Sequence, residues 1–448
     1  MWKFSSFSLL VDGSRDNFLI HNSFMGAVVD VPRAAIFHRD VADQLRNKFR
    51  PSEIFVREDF ATREIIELLL RNGLIVKSGE QEREKAIAIL EKEEDAAYHL
   101  IILPHEDCNF RCTYCYETFE RGKMPPHVVE GTKRGIENAL RGENKLAQLN
   151  ISWFGGEPCL ALDVVDDISQ YAQKLCKKDG VRYIASMTTN GYFLKEATLV
   201  RLLANGVTHF QVTLDGTKET HNKSRMLRGK QGTFDVIYRN LLSAADSNHR
   251  VSFTIRVNVS QENYSGVVEL ISLLAPDFAE DSRFSLDFHS VGQWGGPNDE
   301  NLPVFAEDRG HAAINTLIEI ARAAGFDNKP SKRTLCSHGS VCYAGKRNSL
   351  VVGSDGTLYK CTVAFTDKRN KVGLVDRQKG FVTSPRKIAP WIKGSENSTK
   401  CKSCSFMAAC RGKSCPLESL ENIEPVCPKT QQQLIELIQV SASADGMT

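Results

Sequence analysis

No cysteine occurs in the first 107 residues, and nowhere do 18 or more apolar residues run together. The second absence excludes an ordinary transmembrane helix, which needs about 20 apolar residues in succession. An excess of one charge sign is also missing. Against 57 Lys and Arg stand 55 Asp and Glu, for a formal net charge of +2. No basic field therefore points to nucleic acid or to an anionic membrane as a partner. The opening Met1-Trp2-Lys3-Phe4-Ser5-Ser6 lacks a long apolar stretch followed by a small-residue cleavage site, so a cytoplasmic location is expected. Internal repeats and low-complexity tracts are absent as well. With 448 residues the chain is long enough for more than one domain.

What is present is cysteine of an uneven kind. There are 13, eight of them between Cys336 and Cys427. In a reducing compartment such a distribution favours metal ligation over disulfides. The run Cys108-Asn109-Phe110-Arg111-Cys112-Thr113-Tyr114-Cys115 has the spacing CX3CX2C. Composition alone gives about one chance in a thousand of finding cysteines at both offsets from any one cysteine. Soft thiolates suit iron–sulfur chemistry, and three of them hold three irons of a cubane 4Fe–4S cluster. The fourth iron then lacks a protein ligand, and an open metal position is where chemistry starts.

Around this run the chain alternates strand and helix patterns. Strands are expected at 98–103, 149–154, 182–187, 209–214, 251–257 and 284–288. Helices are expected at 127–140, 162–177, 196–204, 234–245 and 264–274. That rhythm predicts a parallel α/β sheet with right-handed crossovers. Ligands of such sheets gather beyond the carboxyl ends of the strands, which is where the cysteine run falls. Several strand-end motifs lie at the same edge. Gly155-Gly156-Glu157-Pro158 combines two glycines, which let backbone approach a ligand, with a carboxylate that accepts from an ammonium group. Thr188-Thr189-Asn190-Gly191 offers hydroxyls and an amide, and Leu214-Asp215-Gly216 is followed by Arg225, whose fork suits a carboxylate. His289 closes the sixth strand, either facing a substrate or as a satisfied structural histidine. Cys159 and Cys176 read as core thiols.

Before the sheet, 7–11, 17–21 and 26–31 read as short strands, 34–49 and 62–72 as helices, and Asn72-Gly73 as a stop before a further extended run at 74–76. A helix is expected near 306–325. From Cys336 onward periodicity fades, so metal ligation is expected to hold that region together.

The CX3CX2C run with Tyr114 before its last cysteine resembles the signature of the radical S-adenosylmethionine (SAM) superfamily. The resemblance implies a partial (β/α)6 barrel and a 4Fe–4S cluster on Cys108, Cys112 and Cys115. It also implies that the open iron chelates SAM and that cleavage yields a 5′-deoxyadenosyl radical. It further implies SAM contacts from Tyr114, Gly155, Gly156, Glu157, Thr189, Asn190, Asp215 and Arg225. The eight later cysteines resemble the SPASM extension, which implies two auxiliary 4Fe–4S clusters. One would be on Cys336, Cys342, Cys361 and Cys415, the other on Cys401, Cys404, Cys410 and Cys427. Four residues separate Cys410 from Cys415 where the family pattern has three. Two four-cysteine zinc sites are the alternative reading of the same spacing. Residues 1–95 loosely resemble a winged-helix peptide-recognition domain, with packing or dimerisation as the alternative. The implied layout is 1–95 for recognition, 96–305 for the barrel, and 306–448 for a bridging helix and the cysteine-rich iron–sulfur domain. The implied function is maturation of a ribosomally made (RiPP) precursor peptide, by a thioether or carbon–carbon crosslink, with a flavodoxin or ferredoxin as reductant. The catalytic base is not identified. Sulfatase maturation is the enzymatic alternative, although Thr362 stands where those enzymes place an aspartate base. A non-catalytic iron–sulfur peptide-binding scaffold is the other.

Overall fold

The computed structural model describes residues 2–14, 16–37, 55–56, 63–77, 81–142, 145–327, 332–394, 398–421, 426–427 and 430–444. The chain divides into two units, each built from separated stretches. One comprises Met1–Asp95, Lys329–Arg347 and Ala389–Thr448; the other comprises Ala96–Asn328 and Asn348–Ile388.

The first unit begins with β1 (Trp2–Phe4), β2 (Ser8–Asp12), β3 (Asn17–Asn22), β4 (Val28–Pro32), β5 (Ile36–Phe37), β6 (Phe55–Val56) and β7 (Ile75–Lys77). The expected hairpin strands are β2, β3 and β4, which form an antiparallel meander with Leu10 opposite Ile20 and Ile20 opposite Val29. A second sheet has the order β5-β6-β1-β7. The sequence Phe18-Leu19-Ile20 in β3 is apolar throughout because both its faces are covered. Phe18 and Ile20 pack with Phe4, Val31, Leu69 and Ile75. Leu19 packs with Val11, Leu335, Phe406, Leu434 and Ile438. Residues from the start of the chain and from its cysteine-rich end thus share one core. The helix expected at 62–72 is Arg63–Arg71, ended by Gly73 at φ +66. The helix expected at 34–49 is corrected at its start. Arg33–Ala35 form a 3₁₀ turn and Ile36–Phe37 pair with β6, while 38–49 lie outside the described residues.

The second unit holds β8 (Ala97–His105), β9 (Gln148–Gly155), β10 (Arg182–Thr189), β11 (Val207–Thr213), β12 (Ser252–Val259) and β13 (Phe284–Ser290). These are the six expected strands, all parallel and adjacent in chain order. Helices Pro126–Leu140, Leu162–Asp179, Glu196–Ala204, Phe234–Ala245 and Tyr264–Phe278 fall between them as the periodicity predicts. In β12, Phe253, Ile255, Val257 and Val259 are buried, whereas Ser252, Thr254, Arg256 and Asn258 on the other face stay half-exposed. Phe210, Phe253 and Phe284 lie in register across β11, β12 and β13 and stack at centroid distances of 5.5 and 5.0 Å. This mixed α/β architecture with a large parallel sheet has the form of a partial barrel.

Four further strands were not legible in the sequence. They are β14 (Ser349–Val352), β15 (Thr357–Tyr359), β16 (Lys371–Asp376) and β17 (Gly380–Thr383). β14 pairs parallel with β8, and β15, β16 and β17 continue antiparallel, so the sheet has ten strands. Hydrogen bonding and burial, not metal alone, therefore order the stretch from 349 to 383: all four β14 side chains are buried. The β16–β17 hairpin reaches the helix Pro126–Leu140 because that helix carries glycine at the contact. A Cβ on Gly131 would stand 2.5 Å from Val375, and one on Gly135 would stand 2.6 Å from the Phe381 ring. Among the described residues no helix is long and apolar enough to cross a membrane.

Candidate active site and cysteine clusters

In the second unit the loop after β8 carries Cys108, Cys112 and Cys115. It is laced by backbone bonds to the last residue of the helix Lys218–Ser224 and to the segment that follows. Arg111 donates to Met226 O at 2.9 Å, Thr113 to Ser224 O at 2.9 Å, and Arg228 to Asn109 O at 2.9 Å. Phe110, fully buried, anchors the loop against Tyr192. Asp107 accepts from the Cys108 N–H at 2.7 Å and pairs with Arg111 and Arg228. The Gly-Gly-Glu loop after β9 meets this segment so closely that side chains are excluded. A Cβ on Gly155 (φ +108) would lie 2.6 Å from His105 O, and one on Gly156 would lie 2.5 Å from Asp107 O.

The Glu157 carboxylate is fully buried and acts as a strut. Oε1 accepts from Cys159 N at 2.9 Å and from Thr189 Oγ1 at 2.8 Å, and Oε2 accepts from Asn190 N at 2.8 Å. Asn190 Nδ2 in turn donates to Asn109 Oδ1 at 2.8 Å and reaches Cys108 Sγ at 3.6 Å. The Phe110 N–H also points at Cys108 Sγ, at 3.3 Å. A second network centres on Tyr114. Its hydroxyl donates to Asp215 and accepts from Arg225 Nη1 at 2.6 Å and from Asn258 Nδ2 at 3.1 Å. Asp215 also accepts from Asn258 N at 2.8 Å, and its own N–H donates to Nδ1 of the buried His221. The two networks bring Tyr114, Asp215 and Arg225 together, and Gly155, Gly156, Glu157, Thr189 and Asn190 together, both beside the three cysteines.

Burial pushes the Cys108 and Cys115 thiols up to about 12, and the charges of Glu157 and of Cys112 add to it. Cys112 is raised by burial as well, against the pull of Arg225. Thiols crowded in this way lack positive charge, which a soft metal supplies. Arg225 is 7% exposed and its Nε–H has no partner. A buried guanidinium with a vacant N–H fits a carboxylate. The residues present therefore suit an iron–sulfur cluster with an amino-acid ligand beside it. Next to Tyr114 lies a cavity of about 470 Å³, lined by Thr113, Lys223, Asn258 and Asn263 and also by Val291 and Leu302. Glu117 is buried nearby, and burial together with Glu106 lifts its carboxyl to about 8.

His289 is exposed, with Nε2 3.0 Å from Asp287 Oδ2. Burial works to raise the Asp287 carboxyl, but the His289 hydrogen bond and the charges of His289 and Arg256 hold it low. Register places Asp287 opposite Arg256 and His289 opposite Asn258, on the half-exposed face of the sheet. Cys159 and Cys176 are buried, as expected of core thiols.

Cys361 also belongs to this unit, at the end of β15. Asn370, fully buried, grips it: Oδ1 accepts from Lys360 N and Cys361 N, and Nδ2 donates to Cys361 O and Ala364 O, all at 2.8 to 2.9 Å.

The first unit holds the other seven late cysteines. Cys401 sits in a short helix capped by the Ser398 hydroxyl, which accepts from Cys401 N at 3.1 Å. Cys404 and Cys410 are raised by burial, to about 11 and about 12, and each also feels the charge of Cys401 and Cys427. The four cysteines expected to share a cluster are thus electrostatic neighbours. The Gly412 N–H points at Cys410 Sγ at 3.2 Å, made possible by Arg411 at φ 50. Gly26 (φ +72) admits Cys336, whose Sγ would lie 2.2 Å from a Cβ there. Among the described residues no three His, Cys, Asp or Glu side chains are gathered as a single bound ion requires.

Sequence reasoning missed Asp107, His221, Asn258, Asn370 and Gly26. Asn258 alone had a signal, as a polar residue near the carboxyl end of a strand on its half-exposed face. Asp107, His221 and Asn370 act mainly on neighbours in the chain but belong to no spaced motif, and Gly26 meets the remote Cys336.

Residues 102–274 match the family model of the Radical SAM superfamily. That stretch is a Radical SAM domain, of a superfamily whose members bind SAM and a 4Fe–4S cluster. The chain's particular relatives include the cysteine-type anaerobic sulfatase-maturating enzyme of Clostridium novyi. That protein is 24% identical over 330 residues, which cover 68% of this chain and 84% of the relative. Among solved structures, native anSMEcpe with bound AdoMet and the Kp18Cys peptide superposes with a TM-score of 0.57 at 19% identity, over 78% of this chain and 99% of that one. Streptococcus suis SuiB bound to precursor peptide SuiA superposes with a TM-score of 0.52 at 14% identity, over 95% of this chain and 98% of that one.

Proposed function

We propose that this chain is a radical SAM peptide maturase that modifies a ribosomally made precursor. The observation that carries the reading is the buried Arg225 with its vacant Nε–H, set beside the three thiols of one loop. When bound, the cluster on Cys108, Cys112 and Cys115 supplies the electron that turns SAM into a hydrogen-abstracting 5′-deoxyadenosyl radical. The chain's own residues bind and orient. Arg225 takes the methionine carboxylate, and Tyr114, braced by Asp215 and Asn258, fixes the guanidinium. Gly155 and Gly156 bring backbone to the ammonium group, and Glu157 holds the Thr189–Asn190 turn in place. The cavity beside Tyr114 takes the adenosyl half. Arg256, Asn258, Asp287 and His289 form the wall that meets the substrate.

Two auxiliary clusters, on Cys336, Cys342, Cys361 and Cys415 and on Cys401, Cys404, Cys410 and Cys427, complete the metal complement. The N-terminal segment grips a leader peptide in the manner of a winged-helix recognition domain. Supporting a peptide substrate, the relatives include sulfatase-maturating enzymes and a protein solved with its precursor peptide. The likeness to the latter spans more of this chain, 95% against 78%. A crosslink, thioether or carbon–carbon, is the modification proposed, and a flavodoxin or ferredoxin the reductant.

The test has two stages. Anaerobically reconstituted protein, given SAM and dithionite, should release 5′-deoxyadenosine. Co-expression with short peptides encoded beside the gene should then give a product lighter by two hydrogen atoms in mass spectrometry. No 5′-deoxyadenosine from iron-replete protein would remove the enzymatic reading. A formylglycine-bearing sulfatase as product would replace the peptide reading by sulfatase maturation.

A further inference from the structure

A cluster on Cys401, Cys404, Cys410 and Cys427 would carry net negative charge, and the cations nearby differ in what holds them. Arg411 and Lys413 are engaged by Glu94, at 2.9 and 3.4 Å. Arg83, at the start of the helix Glu82–Asp95, is turned to the cysteine loop instead. Its Nη2 donates to Cys401 O at 2.5 Å and to Cys404 O at 3.1 Å. Its guanidinium lies 5.7 Å from the centroid of the buried Phe7 ring.

We propose that Arg83 is a positioning residue that sets the reduction potential of the cluster on Cys401, Cys404, Cys410 and Cys427; the inference rests on that ligand set. A guanidinium stays charged at every working pH. Reduction adds one negative charge to a four-thiolate cluster, so a cation fixed against two of its ligands favours the reduced form. The apolar ring beside it excludes water and lengthens the reach of that charge. Holding both carbonyls also fixes the conformation of the Cys401–Cys404 loop. The N-terminal segment thereby acts on the electronic state of a cofactor whose ligands all lie beyond residue 400.

The experiment uses the full chain with Cys108→Ala, Cys112→Ala, Cys115→Ala, Cys336→Ala and Cys342→Ala, so that this set alone can hold a cluster. The protein is reconstituted anaerobically, assayed for iron and sulfide, and titrated reductively with electron paramagnetic resonance detection. At the parent's midpoint, Arg83→Gln should lower the reduced-to-oxidised ratio at least tenfold, about 59 mV for a one-electron couple. Arg83→Lys, which keeps the charge, should stay within threefold of the parent. A ratio for Arg83→Gln within twofold of the parent at equal iron overturns the proposal, as does Arg83→Lys behaving like Arg83→Gln. Should Arg83→Gln not fold, Glu84→Lys at the exposed neighbouring position decides. It should raise the ratio at least twofold, and an unchanged or lowered ratio overturns the proposal. A parent without iron removes the ligand set itself, which is a separate failure and takes the proposal with it.

Discussion

At the scale of single residues, Arg225 and Asn370 do work that chemically close replacements cannot do. Arg225 places Nη1 on Tyr114 and leaves Nε free within the same plane. A lysine there offers one point charge and loses the fork. Arg225→Lys should therefore weaken SAM binding at least tenfold, measured by equilibrium dialysis against reconstituted protein, and slow 5′-deoxyadenosine release in parallel. Asn370 satisfies four backbone groups around Cys361. At roughly 1 kcal/mol for each buried bond, Asn370→Ala should cost about 3–4 kcal/mol of unfolding free energy. Chemical denaturation of the metal-free chain checks this. Asn370→Asp should fail similarly, because a carboxylate cannot donate to Cys361 O and Ala364 O.

Elements carry a different lesson. The six barrel strands were legible because each is an apolar run between helices of clear period, as in β12 with Phe253, Ile255 and Val257 on one face. The strands β14 to β17 were not, because they span only three to six residues each and lie amid cysteines and glycines. Their partners, such as Leu350 opposite Leu100, are remote in the chain. The cysteine loop and the strand-end motifs of the site were legible for the same reason that they are local. The role of Asn258 was only hinted at, since its partners Tyr114 and Asp215 are remote in the chain, and Asp107 stood in no recognisable motif. The meander of the first unit supplies a pH prediction. His21 in β3 is 1% exposed, and burial lowers it from 6.5 to about 4 despite the Ala27 carbonyl. Above pH 6.5 it is neutral in both folded and unfolded chains. As pH falls from 6.5 toward 4 the unfolded chain gains a proton that the fold refuses, so stability is lost through that window. At 1.36 kcal/mol per pH unit the loss reaches about 3 kcal/mol and then levels off. His21→Gln should flatten the slope of melting temperature between pH 6.5 and 4.5.

For the molecule as a whole, the separation of cysteines between two units predicts separable losses. Cys401 belongs to the first unit, and Cys108, Cys112 and Cys115 to the second. Cys401→Ala should lose about a third of the iron of the fully loaded protein. It should still cleave SAM and fail to release the oxidised peptide. Iron analysis and chromatography of 5′-deoxyadenosine and peptide read these apart, and full product from that variant would remove any electron-accepting role for its cluster.

The shared core of the first unit has a consequence beyond stability. Val11 and Leu19 near the start cover Leu434, Ile438 and Ala442 on the final helix. Removing the β2–β3 hairpin would bare an apolar stripe on the helix Gln431–Ala444, and a change in either segment has to be matched in the other.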